Sequence, residues 1–130
     1  MTKNKDIMLK LGDFPVVPYN MILKETLEEM NKFNLGVACL VNKKNNLKGI
    51  ITDGDIRRKL LKDQKPFSAF FVDDSIKHAV KKPKSSSPNK NIKETLKMMN
   101  KNEIWDLPIV KNKKLVGLVH LHPAMRKLIK

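Results

Sequence analysis

Residues 52–55, Thr-Asp-Gly-Asp, lie between the apolar run 49–51 and a charged segment with periodic apolar residues. This order predicts a strand that runs into a helix N-terminus, where Thr52 or Asp53 caps a free backbone N–H. The other free N–H groups and the helix dipole favour an anion, although Asp53 and Asp55 oppose a bare phosphate. A carboxylate can accept hydrogen bonds from a sugar diol, and the Thr hydroxyl and backbone N–H groups can donate to phosphoryl oxygens. The combination therefore suits a sugar phosphate. The same pattern also describes an ordinary capped helix without a ligand.

The length and composition indicate one globular domain. The chain has 130 residues and is 41% hydrophobic, which is enough for a core. No apolar run approaches the roughly 20 residues that span a bilayer, and the N-terminus lacks the apolar segment of a signal peptide. We therefore expect a cytoplasmic protein with no membrane partner. The single cysteine, Cys39, lies in the apolar run 37–41 and is expected to be a core residue.

The net charge of +14 raises the question of nucleic-acid binding. Of the 27 basic residues, 24 are lysine, and the aromatic content is only 5%. Base-edge recognition mostly uses arginine, and stacking platforms need clustered aromatic rings. The composition therefore disfavours specific nucleic-acid binding but is compatible with a weaker attraction for nucleotides and other anions.

An internal repeat determines the expected architecture. Residues 23–32 return as residues 92–101, with Lys-Glu-Thr-Leu and Met-Asn-Lys identical at an offset of 69. Each copy is predicted to contain an extended piece, a helix, two strands and a helix. In the first copy these are residues 14–18, 22–33, 37–41, 47–51 and 53–62. In the second copy the predicted helix ends at residue 102, the strands are 107–110 and 115–121, and the last helix starts near Pro123 as its first residue.

The duplicated unit, the Gly-apolar-apolar-Thr-x-x-Asp pattern at 49–55 and Leu-Pro-Ile-Val at 107–110 resemble the cystathionine β-synthase (CBS) domain pair, or Bateman module. Thr-Asp-Gly-Asp-Ile-Arg-Arg at 52–58 is most similar to the C-terminal CBS pair of arabinose 5-phosphate isomerases. The resemblance implies an α+β fold of two pseudo-twofold-related repeats, with small sheets and helices packed on one face. Within this single module we expect repeat 1 at 5–62, a connection at 63–82 and repeat 2 at 83–130.

The resemblance also implies a nucleotide site in repeat 1. The family pattern places the ribose diol on Asp55 and phosphate near Thr52, while backbone at two stretches encloses the base. Asp53 and Arg57 adjoin this corner. The full expected set is Val16, Val17, Pro18, Leu35, Gly36, Val37, Thr52, Asp53, Asp55 and Arg57.

Repeat 2 departs from the family pattern. His120 replaces the expected Thr and Pro123 the expected Asp, so ribose binding is expected in repeat 1 alone. Residues 85–87, three serines, replace the usual apolar first strand. His120 and His122 lack further ligands at suitable spacing, so no metal site is predicted.

No catalytic motif is present, and the catalytic domain of the isomerases that the chain resembles would lie upstream of these residues. The resemblance therefore implies a regulatory, ligand-sensing module of a sugar-phosphate isomerase type protein, not an enzyme. It requires no cofactor; the ligand is expected to be an adenine or cytidine nucleotide or a sugar nucleotide. The alternatives are a structural dimerisation module with vestigial clefts and the CBS pair of a sugar-phosphate nucleotidyltransferase. The expected partners are a sugar-phosphate enzyme domain, attached or separate, and a second copy in a homodimer. The homodimer would form through apolar helix positions, namely Leu27, Met30, Leu60, Met98 and Leu128.

Overall fold

The computed structural model describes residues 1–129. The helices are α1 (Asn4–Ile7), α2 (Leu23–Phe33), α3 (Asp53–Asp63), α4 (Phe67–Phe71), α5 (Ile92–Lys101) and α6 (Leu121–Ile129), and a 3-10 turn covers Ser75–His78. The strands are β1 (Leu9–Lys10), β2 (Val16–Pro18), β3 (Val37–Val41), β4 (Leu47–Thr52), β5 (Val80–Lys81), β6 (Asp106–Lys111) and β7 (Lys114–His120). These small sheets and helices confirm the predicted α+β class.

The chain forms two compact units, each with its own sheet. The first unit is Gly12–Pro83, and the second combines Met1–Leu11 with the residues from Lys84 onward. These units differ from the sequence repeats 5–62 and 83–130, because strand pairing assigns the N-terminal segment to the second unit and the connecting segment to the first. β1 pairs with β7 in the second unit, and β5 pairs with β4 in the first.

The first unit is built on a sheet of order β2-β3-β4-β5, in which β2 and β3 are parallel and the other pairs antiparallel. Every residue of β3, including Cys39, is buried, as the continuous apolar run predicts. Met30 is only 4% exposed in this core. Met30 was predicted to be a surplus apolar position for dimer contacts, and that prediction is wrong, because α2 turns this side chain onto the sheet.

The second unit repeats this plan with a sheet of order β1-β7-β6. Ser86 forms a parallel bridge to Ile109 in place of a full edge strand. The fully buried Asn4 explains the polar residues here, because its amide donates to Ser86 Oγ at 3.1 Å and to the Ser87 carbonyl oxygen at 2.9 Å. Polar residues at this edge are therefore explained by hydrogen bonds from Asn4 in α1, which lies more than 80 residues away in sequence.

The segment between α3 and β5 packs on the first unit. Phe70 is 1% exposed and joins the core. Asp73 accepts hydrogen bonds from His78 Nε2 at 2.8 Å and Lys65 Nζ at 3.3 Å. The hydrogen bond from His78, followed by the contacts with Lys65 and Lys77, lowers the pKa of Asp73 from its ordinary value, although desolvation opposes the shift.

Two further sequence expectations were tested by the structure. Helix α6 begins at Leu121, so Pro123 is the third helical residue and not the first. Proline is tolerated there because the N–H groups of the first turn have no intrahelical acceptor. No helix among the described residues has the length and apolar character that a bilayer crossing requires.

Candidate functional site

Two of the predicted stretches meet at one corner of the first unit. β3 and β4 pair antiparallel with Val37 opposite Thr52. The Asp53 N–H donates to the Gly36 carbonyl oxygen at 3.0 Å. The first turn of α3 therefore lies directly beside the entry to β3, and the backbone of residues 35–37 adjoins the side chains of residues 52–55.

Thr52, one of the two residues predicted to cap this helix, is the N-cap of α3. Its Oγ1 accepts a hydrogen bond from the Asp55 N–H at 3.2 Å. In return, Asp55 Oδ2 accepts from the Thr52 N–H at 3.0 Å and from the Thr52 hydroxyl at 2.9 Å. This reciprocal capping box satisfies backbone donors that the helix cannot satisfy internally. It also fixes the orientation of both side chains before any ligand arrives.

The second oxygen of Asp55 is held by an arginine outside the predicted set. Arg58 Nη2 donates to Asp55 Oδ1 at 2.9 Å. The Asp55 side chain is 16% exposed and the Arg58 side chain 62% exposed. The predicted arginine, Arg57, is exposed on the same helix. The i,i+3 spacing of Asp55 and Arg58 was the sequence signal for this pair.

Asp53 lies against Gly36, which explains why a residue without a side chain stands there. A Cβ at Gly36 would collide with the Asp53 carboxylate, whose Cγ would be 3.0 Å away. Asp53 and Gly36 line a cavity of about 340 Å³ together with the end of α2, including Asn31 and Asn34. Because this wall offers carboxylate and amide groups and no cation, it suits hydroxyl groups better than phosphate.

The other predicted backbone stretch, residues 16–18, runs parallel to β3. Pro18 is opposite Val41, four residues along β3 from Val37, which is about 13 Å at the usual rise per residue. These residues line a separate cavity of about 690 Å³ with Tyr19 and Lys43. The expected set is therefore divided between the corner at Thr52 and the opposite end of β3. Val17 and Val37 are buried, so only their backbone could contact a ligand.

The equivalent corner of the second unit has a different chemistry. Asp106 and His120 are paired across β6 and β7 where the first unit has Val37 and Thr52. His120 Nδ1 and Asp106 Oδ1 are 2.5 Å apart. The Leu121 N–H donates to the Trp105 carbonyl oxygen at 2.9 Å, which repeats the contact between Asp53 and Gly36.

At this second corner an aromatic and an apolar residue, Trp105 and Leu121, replace the glycine and the aspartate of the first. Trp105 makes an edge contact with His122 at 5.2 Å between ring centroids. Trp105 and Leu121 line a cavity of about 300 Å³ in the positions that Gly36 and Asp53 occupy in the first unit. His120 was singled out from the sequence but its partner Asp106 was not; the register of β6 and β7 brings the two residues together. Residues 1–129 contain no group of three or more His, Cys, Asp or Glu side chains that could hold a metal ion.

The fold and the paired corners define a CBS domain pair. Residues 5–62 and 76–122 match the CBS domain family, and the chain belongs to it. Its sequence is 34% identical over 125 residues to protein RP505 of Rickettsia prowazekii, covering 96% of this chain and 37% of that protein. It is 28% identical over 121 residues to the arabinose 5-phosphate isomerase KdsD of Yersinia pestis, covering 93% of this chain and 36% of that enzyme. The chain thus spans little more than a third of these relatives.

Solved structures show the same fold. CBSX2, crystallised in complex with AMP, superposes with a TM-score of 0.86 at 17% identity, covering 99% of this chain and 97% of that one. The CBS pair of MJ0100, in complex with 5-methylthioadenosine and S-adenosyl-L-methionine, superposes with a TM-score of 0.79 at 22% identity, covering 98% and 96%. These likenesses confirm the fold that the resemblance implied.

Proposed function

We propose that this chain is a regulatory module that senses a nucleoside phosphate or a sugar nucleotide at the Thr52 corner of the first unit. The observation that carries the proposal is the Asp55 carboxylate. It is held by the capping box, it is only 16% exposed, and its partner Thr52 pairs with Val37, the residue next to Gly36. The second unit has Pro123 in place of Asp55, so the site is proposed for the first unit only.

The chemistry of the ligands in related structures supports this proposal. AMP, 5-methylthioadenosine and S-adenosyl-L-methionine all contain a ribose diol, which a carboxylate binds by accepting two hydroxyl hydrogens. The ribose and phosphate contacts do not involve the base, and of the two predicted backbone stretches only residues 35–37 adjoin this corner. Adenine and cytidine nucleotides and sugar nucleotides therefore all fit the ribose and phosphate contacts. No cofactor is required for such sensing.

Calorimetry with AMP, CMP and UDP-glucose tests the proposal. We expect saturable binding of at least one of these probes. In Asp55→Ala, the loss of charge-assisted hydrogen bonds, each worth about 1.5–3 kcal/mol, should weaken binding at least tenfold. Thr52→Ala should cost less, because backbone N–H groups at the start of α3 still face the phosphate.

A matched control separates the corner from general charge effects. Asp63→Ala removes a carboxylate from the other end of α3, where it pairs with Lys59 at 3.7 Å. Its nucleotide affinity should stay within twofold of the unsubstituted chain, a difference of about 0.4 kcal/mol. Saturable binding that Asp55→Ala leaves unchanged would place the ligand site elsewhere and contradict the proposal.

A structural role as a homodimer is the second candidate. Leu27 and Leu60 are half-buried and line an apolar cavity of about 130 Å³ between helices α2, α3 and α4. Phe67, 66% exposed, borders it. Covering such apolar surface with a second copy would remove it from water. Sedimentation should show a dimer at micromolar concentration that Leu60→Glu dissociates; a monomer in the unsubstituted chain would refute this role.

The enzyme partner is proposed from the relative KdsD. We infer that the module acts with a sugar-phosphate isomerase domain and does not itself turn over arabinose 5-phosphate. A nucleotidyltransferase partner is the alternative. Incubating the chain with arabinose 5-phosphate should give no product, and adding it to a KdsD-type isomerase should change the rate only when a bound nucleotide is present.

A further inference from the structure

Arg58 lies across the first turn of α3. Its Nη2 donates to Asp55 Oδ1 at 2.9 Å. Its guanidinium also covers Gly54, because a Cβ at that position would lie 3.1 and 3.2 Å from the two terminal nitrogens. The planar group is therefore seated on the site proposed for the ligand, although its side chain remains 62% exposed.

The two oxygens of Asp55 are held with different strength. Oδ2 takes part in the capping box, which the start of the helix needs. Oδ1 accepts only from Arg58 among the contacts described, and an ion pair this exposed is weak because water screens it. The position on Asp55 that a ligand hydroxyl can take is therefore the one that Arg58 occupies.

We propose that Arg58 is a selectivity residue for the nucleotide site, an inference that rests on the function proposed above. Without ligand, Arg58 occupies Asp55 Oδ1. A ribose diol displaces it, and the released guanidinium binds the phosphate of the same ligand. Its five N–H donors match pairs of phosphate oxygens. A neutral nucleoside displaces Arg58 without offering it a new partner, so the site selects nucleoside phosphates over nucleosides.

The second unit supplies a natural control. Arg126 occupies the position in α6 that Arg58 occupies in α3, and Pro123 stands where Asp55 would be. No carboxylate lies three residues before Arg126, so Arg126 forms no ion pair of the kind that Arg58 forms with Asp55. Replacing Arg126 therefore removes the same charge and side chain from the chain without affecting the proposed competition.

The experiment measures the affinities of adenosine and AMP by calorimetry on the unsubstituted chain, Arg58→Ala and Arg126→Ala. In Arg58→Ala, adenosine should bind more tightly and AMP more weakly. The preference for AMP over adenosine should fall at least about tenfold, which corresponds to 1.4 kcal/mol. In Arg126→Ala, the preference should stay within twofold of the unsubstituted chain.

Gly54→Ala provides a second variant that keeps the positive charge. Its Cβ would lie 3.1 and 3.2 Å from the terminal nitrogens of Arg58, so the guanidinium must shift by a few tenths of an ångström, which weakens its hydrogen bond to Asp55. Alanine favours the helix, so the fold should be retained. Adenosine should again bind more tightly, while AMP retains its contact with Arg58. Equal weakening of both ligands in Arg58→Ala, or no change in either, would overturn this inference alone. Failure of the unsubstituted chain to bind adenosine and AMP would also overturn this inference. The proposed function would fall with it only if CMP and UDP-glucose failed to bind as well.

Discussion

Replacing Asp55 by alanine should destabilise the fold as well as the ligand site, because this carboxylate has a structural role. Asp55 Oδ2 accepts from both the N–H and the hydroxyl of Thr52, and Asp55 Oδ1 accepts from Arg58. Asp55→Ala leaves Thr52 as the N-cap but removes the hydrogen bonds that Asp55 Oδ2 accepts, at about 0.5–1.5 kcal/mol for a typical hydrogen bond. The exposed pair with Arg58 adds about 0.2–1 kcal/mol. We therefore expect Asp55→Ala to lower the free energy of unfolding by about 1–2 kcal/mol.

Three variants separate the capping box from a general effect of negative charge. Asp53→Ala removes a carboxylate from the same turn, where it interacts with the helix dipole, and should cost only about 0.3–1 kcal/mol. Thr52→Ala should cost about as much as loss of a cap. Since Thr52 and Asp55 act as a pair, the double variant should cost less than the two single costs added together, by about 0.5 kcal/mol or more.

Urea unfolding followed by far-ultraviolet circular dichroism measures these differences. The midpoint should fall while the m-value stays constant, because the unfolded surface is the same. The protein should remain folded at 25 °C, since small domains have about 5–15 kcal/mol of stability. Equal costs for Asp55→Ala and Asp53→Ala, or additive costs for Thr52→Ala and Asp55→Ala, would show that no capping box operates in solution.

Two further predictions concern other contacts. Gly117→Ala should release the N-terminal segment, because the new Cβ would collide with Met8 and lie 2.9 Å from the Leu9 carbonyl oxygen; limited proteolysis should cut residues 1–11 faster, and unchanged cutting would contradict this. The lowered pKa of Asp73 stabilises the fold above its ordinary value of 3.8, and this contribution is lost as pH falls through the lower folded value. The stability difference between the unsubstituted chain and Asp73→Asn should therefore shrink below pH 3.8.

The regular elements were predictable because their signals are local. The repeat of 23–32 at 92–101 located α2 and α5 to within a residue or two. The apolar run 37–41 coincides with β3. The Thr52 cap could be predicted because its partner is three residues away in sequence. Periodicity and capping depend on neighbours along the chain, so one sequence is enough to reveal them.

The contacts that were not predicted are those between distant segments. Residues 1–11 join the second unit because β1 pairs with β7, and no local pattern in these residues identifies that strand as its partner. The serines at 85–87 replace the apolar residues of the usual first strand, and the bonds that Asn4 donates to Ser86 and Ser87 come from a distant part of the sequence. Asp106 was overlooked because its partner is His120, on the far side of a hairpin.

The two corners, when compared, indicate which of their features are required for folding. Both corners keep the backbone contact between the start of the helix and the entry to the strand, at 3.0 Å from Asp53 to Gly36 and 2.9 Å from Leu121 to Trp105. The backbone contact survives the exchange of glycine for tryptophan and of aspartate for leucine, so neither side chain is needed for it. Asp53 and Gly36, which fit against each other, are therefore not required by the backbone contact that both corners share, which is the physical reason to seek the ligand at the first corner.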